Sequence, residues 1–127
     1  MARPEVHRRV KSYSAESGVT YQYCFYEVEK TTRKKISGSG SDGVTVYTYL
    51  VSTDRKTSFP LHVYVWQEAV GNWEKGVGRR MTGTEEYALA KLRLFRGFDE
   101  AQEPLAPAAE LFVDDSNLDG LLSQLDL

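Results

Sequence analysis

One cysteine, two histidines and no long apolar run are the first things the 127-residue chain leaves out. Cys24 alone cannot form an intramolecular disulfide, and a reducing, cytoplasmic setting fits it best. His7 and His62 stand far from Cys24 and from each other, so no metal-ligand spacing is present and no metal is expected. The longest apolar stretches are broken every few residues, as in Val44-Thr45-Val46-Tyr47-Thr48-Tyr49-Leu50-Val51. Nothing reaches the roughly 20 residues that cross a bilayer, and no membrane partner is expected. His7, Arg8, Arg9 and Lys11 are followed by no apolar segment, so the N-terminal stretch is not read as a secretory signal.

The last absence is of positive charge: no lysine or arginine follows Arg96. Through Phe98, 16 cations stand against 10 acids, a balance of +6; from Asp99 onward there are 8 acids and no base. A basic body with an acidic end suggests an anionic partner, or a tail that competes with one.

What is present suits a folded domain, with 41% hydrophobic and 27% charged residues, close to the globular average. A first strand is read from Arg8 to Tyr13, then a turn through Gly18 and a second strand from Val19 to Glu29. Alternation puts Val19, Tyr21, Tyr23 and Phe25 on one side and Thr20, Gln22, Cys24, Tyr26 and Val28 on the other. Both sides carry aromatics, which leaves the inner face open. Lys30 to Gly43 is rich in Gly and Ser and reads as a flexible loop. Strands resume at Val44 to Ser52 and at Phe59 to Trp66, with Pro60 restricting the last to an edge or a bulge.

Ala69, Val70, Trp73 and Val77 then take helical spacing, weakened by Gly71, Gly76 and Gly78. Thr82-Gly83-Thr84-Glu85 has capping-box spacing, and a principal helix is expected from about Gly83 to Phe98. Tyr87, Ala88, Leu92, Leu94, Phe95 and Phe98 fall on one arc, with Arg93 and Arg96 opposite. Lys91 lies inside the apolar arc, its stem along the core and its ammonium in water.

The expected fold is α+β: a four-stranded, mainly antiparallel sheet packed by one principal helix, with a short preceding helix and an acidic helical tail. Residues 1–100 form the basic domain, 101–113 a Pro/Ala-rich linker and 114–127 the tail. In the tail, Leu118, Leu121, Leu122 and Leu125 recur at i, i+3, i+4 and i+7 after the capping residues Asp114 to Asn117. Leu118-Asp119-Gly120-Leu121-Leu122 looks like a Leu-x-x-Leu-Leu docking motif, and Gln124-Leu125-Asp126-Leu127 looks like a truncated bacterial sliding-clamp peptide. Patterns this short name no family. The helix could dock on a partner protein, fold back on the basic body, or cover an apolar patch of its own domain.

No acid, base and nucleophile converge, so no catalytic residue is assigned and an enzyme is not expected. Cys24 and His62 could meet across strands, yet a strand cysteine is usually a small core residue. Ser37 to Gly43 lacks the Gly-Lys-Ser/Thr ending of a phosphate loop, and no cofactor is expected. The expected function is a small binding module. Arg8, Arg9 and Lys11, then Arg33, Lys34 and Lys35, then Arg79 and Arg80 would contact single-stranded nucleic acid beside Tyr21, Tyr23, Tyr26, Tyr47, Tyr49, Tyr64 and Trp66. The alternative is a protein-interaction adaptor held by the tail leucines.

Overall fold

A computed structural model describes residues 9–34, 40–107 and 109–125. In chain order its elements are β1 (Lys11–Ser14), β2 (Thr20–Lys34), β3 (Ser41–Ser52), β4 (Phe59–Trp66), α1 (Gln67–Val77), α2 (Gly83–Glu100), β5 (Glu110–Val113) and α3 (Leu118–Ser123). The described residues form an α+β fold with one curled mixed sheet, strand order β1-β2-β3-β4-β5, and three helices. None of these helices is long and apolar enough to cross a membrane.

The β1–β2 turn closes as its residues suggest. Gly18 takes φ of 93°, a left-handed value open to glycine, and its N–H donates to the Ala15 carbonyl. β2 to β4 form an antiparallel meander rich in β-branched and aromatic residues. The register of β2 against β3 shifts between Phe25 and Glu27, a bulge that increases local twist.

The structure answers which face is inside. Tyr21, Tyr23, Tyr47, Tyr49, Val51, Leu61, Val63 and Val65 are buried beneath α2, forming the core with Leu89, Ala90, Leu94 and Phe98. Tyr21 stacks on Phe98 with centroids 4.0 Å apart, and Tyr13 stacks on Phe95 at 4.4 Å. Such pairs add about 0.5–1.5 kcal/mol each beyond the area they bury. The N-terminus of α2 carries the expected capping box: Glu85 N–H donates to Thr82 Oγ1 at 3.1 Å, and Thr82 N–H donates to Glu85 Oε1 at 2.9 Å.

Four expectations are corrected. The sheet has a fifth strand, because Glu110–Val113 pairs in parallel with β4 and buries Leu111 and Val113. Parallel neighbours need a long crossover, here supplied by α1 and α2. The extended linker therefore ends before Glu110. Lys30 to Lys34 is not loop: β2 continues to Lys34, opposite Ser41, since each residue finds a ladder partner on β3. Residues 35–39 lie outside the described residues. β1 begins at Lys11 rather than Arg8, with Arg9 before the strand and Arg8 outside the described residues. Arg93 does not lie on the solvent side of α2. It reaches β5, where its Nε donates to the Phe112 carbonyl at 2.8 Å.

Candidate nucleic-acid interface

Among the described residues, the expected cations are not all free on one surface. Arg33 Nη1 and Nη2 donate to Glu110 Oε2 and Oε1 at 3.1 and 2.9 Å, and the guanidinium lies 4.4 Å from the Tyr64 ring centre. Tyr64 Oη also donates to Glu110, so this charge is matched by a planar, two-pronged partner. Arg79 makes the same kind of pair with Glu85, at 2.9 and 2.7 Å, and lies over Trp73. Both arginines are occupied within the fold. Lys34 is exposed at the end of β2, and Lys35 lies outside the described residues.

The tyrosines are corrected too. Tyr21, Tyr23, Tyr47 and Tyr49 are core residues under α2, so they form no open stacking row on a bare sheet face. Burial raises the Tyr49 phenol far above its ordinary pKa; burial and a 2.7 Å bond to Glu86 do the same for Tyr47. Tyr64 and Trp66, with Phe112, belong by alternation to the helix-free face, where Tyr64 stacks on Phe112 at 5.2 Å, and Tyr26 is exposed at the β2 bulge.

The tail leucines are likewise committed. Leu118, Leu121 and Leu122 are buried in the domain's own core, with α3 packed on α2 and α1, and Leu125 packs partly against it. A six-residue helix gains stability only by such packing. An adaptor anchored by these leucines loses its anchors to the core. Asn117 fastens the segment, donating from Nδ2 to the Phe112 carbonyl at 2.9 Å and accepting from Asp114 N–H at 3.0 Å.

Positive charge with no acid partner among the described residues gathers elsewhere. Antiparallel pairing puts Lys11 opposite Tyr23, while Tyr87 and Lys91 stand one turn apart on α2. With Arg9, Cys24 and Phe25 they line a cleft of about 310 Å³ that has no carboxylate among its described walls. Desolvation, then the neighbouring Lys11, lowers the pKa of Lys91. Two ammonium groups held together in this way repel, and a bound anion would relieve the repulsion.

The cleft continues at Phe25 and Tyr87 into a cavity of about 480 Å³ at the start of α2, where Lys30 and Arg80 stand. Its carboxylates are engaged by neighbours. Glu86 accepts from Tyr47 Oη and from Gln67 Nε2 at 3.1 Å, and Glu74 accepts from Met81 N–H at 2.7 Å. Together the two openings make a channel with cations along it and aromatic rings in its wall.

Sequence reasoning named Arg9, Lys11 and Arg80, ranked a ligand contact at Lys91 below a solvated ammonium, and passed over Tyr87 and Lys30 as site residues. The available signal was a lysine inside the apolar arc of α2. No group of three His, Cys, Asp or Glu side chains gathers as a metal site among the described residues. Cys24 lies opposite Leu50 and His62 opposite Thr48, and His62 Nδ1 sits 2.9 Å from Thr48 Oγ1. No protein-family model, curated protein or solved structure compared with the chain gave a match, and the site rests on its own geometry.

Proposed function

We propose that the protein is a non-enzymatic module that binds single-stranded nucleic acid in the channel between β2 and α2. The observation that carries this reading is the cleft in which Arg9, Lys11 and Lys91 meet the rings of Phe25 and Tyr87, with no carboxylate among its described walls. Phosphates supply the missing negative charge, and bases offer flat faces to aromatic walls. A concave channel suits a flexible strand, whereas a duplex groove is entered by a protruding helix or ribbon. Lys30 and Arg80 extend the track toward the start of α2. In this reading Arg33 and Arg79 have structural roles.

Fluorescence anisotropy of a labelled single strand and its matching duplex tests the proposal. Single-strand binding tighter than duplex binding is expected, and Lys11→Gln with Lys91→Gln should weaken it by about tenfold or more, as loss of phosphate contacts does. No single-strand binding, or binding indifferent to both lysines, would overturn it.

A further inference from the structure

A third opening, of about 390 Å³, shares Tyr23 and Cys24 with the cationic cleft and reaches onto the helix-free side of the sheet. Its floor follows from strand alternation. Gln22 and Cys24 project away from the face that holds Tyr21 and Tyr23, and the register sets Gln22 across from Ser52 and Cys24 across from Leu50.

Gln22 is only 6% exposed and lines this opening; its Oε1 is shielded and accepts no hydrogen bond among the described residues, so the carboxamide must rotate to present that oxygen to a ligand. A buried amide oxygen without a donor carries a desolvation cost that a ligand N–H would remove. Ser52, its cross-strand neighbour, is already engaged: Oγ donates to Asp54 Oδ1 at 3.2 Å and accepts from Arg55 N–H at 2.9 Å. Asp54 in turn accepts from the N–H groups of Lys56 and Thr57 at 2.8 and 2.9 Å, which holds the loop bearing Arg55 and Lys56 in place. Those two cations line the opening, Val10 and Leu50 give it apolar walls, and no carboxylate is among its described walls.

We infer that this opening receives a nucleobase of the bound strand, whose N–H edge donates to Gln22 Oε1. The inference rests on the single-strand reading above and gives it a base-contacting residue. Its chemistry fits a base: an acceptor in a desolvated floor for a ring N–H, and apolar side chains for the ring faces. Cations stand on both flanks for the adjoining phosphates, Lys11 and Lys91 on one side and Arg55 and Lys56 on the other.

The test compares oligothymidine with the same strand built from N3-methylthymidine, which has lost the only N–H donor of its base. Both are measured by anisotropy on the wild-type chain and on Gln22→Met. Wild type should bind the methylated strand about fivefold to tenfold more weakly, the scale of one buried hydrogen bond, and Gln22→Met should erase that difference. Equal binding of the two strands by wild type overturns the inference, as does an undiminished difference in a folded Gln22→Met chain. Should Gln22→Met fail to fold, the wild-type comparison decides alone. Absence of binding to any strand would instead overturn the single-strand reading, a separate and recognisable result.

Discussion

Gly97 of α2 lies so close to Leu111 of β5 that a Cβ at position 97 would stand 2.8 Å from Leu111 Cδ1. This contact lets the helix sit directly on the parallel strand that sequence alone did not reveal. Gly97→Ala is therefore expected to destabilise the protein even though alanine favours helix, with overpacking costing about 1–3 kcal/mol. Thermal unfolding followed by circular dichroism checks this. An unchanged or raised midpoint would mean that β5 shifts freely.

The tail offers a second test of the same architecture. Leu121 is fully buried in the core, so Leu121→Ala should cost about 2–5 kcal/mol in urea unfolding. A surface anchor for some other protein would leave stability nearly untouched.

Much of the fold was legible because its signals are local. The alternation in β2 to β4, the turn at Gly18 and the capping box at Thr82 each act within a few residues. β5 was not legible, since Glu110 to Val113 is four residues long, follows Pro104 and Pro107, and takes its strand state from pairing with β4. The inner face stayed ambiguous because β2 has aromatics on both sides. At the site, Arg9 and Lys11 could be named from sequence, but the neutralisation of Arg33 depends on Glu110, 77 residues away. The distinction between a free cation and an occupied one is a tertiary fact. The gathering of Lys11 with Lys91 is another.

Arg33 should separate structure from binding. Arg33→Ala removes the two-pronged contact to Glu110 and the stacking on Tyr64 and Phe112, so urea unfolding should shift to lower concentration. The pair is partly solvated, and a loss near 1 kcal/mol is expected. Single-strand affinity of the folded variant should stay within about twofold of wild type, as suits a phosphate contact that was never made. A large loss of affinity would return Arg33 to the interface.

Acid should loosen the start of α2 and the β3–β4 loop. The Arg79 guanidinium and the Thr82 N–H lower the Glu85 pKa from 4.5 to about 2, and the N–H groups of Thr57 and Lys56 lower that of Asp54 from 3.8 to about 2. A depressed carboxylate pKa contributes stability that is present above the unfolded value and lost as pH falls through the folded one. Wild-type stability should thus decline between about pH 4.5 and 2, and Glu85→Gln should flatten that decline. Identical pH profiles would show that the capping box does not carry the effect.

Alkali acts in the opposite sense at Tyr13. Its hydroxyl donates to Asp99 Oδ2 at 2.7 Å, and that bond, with burial and the carboxylate's charge, raises the phenol from 10.0 to about 12. A raised pKa gives stability that is complete below the unfolded value and lost as pH climbs through the folded one. Wild type should lose stability between pH 10 and 12 more steeply than Tyr13→Phe. Matching slopes would mean that the Tyr13–Asp99 bond is not maintained in solution.

The most direct test of the central claim is the salt dependence of single-strand affinity, wild type against Lys11→Gln with Lys91→Gln. Each phosphate contact contributes about 0.7 to the log–log slope, so loss of both lysines should make it shallower by about 1.4. An unchanged slope would contradict the placement of phosphate in the Arg9, Lys11 and Lys91 cleft.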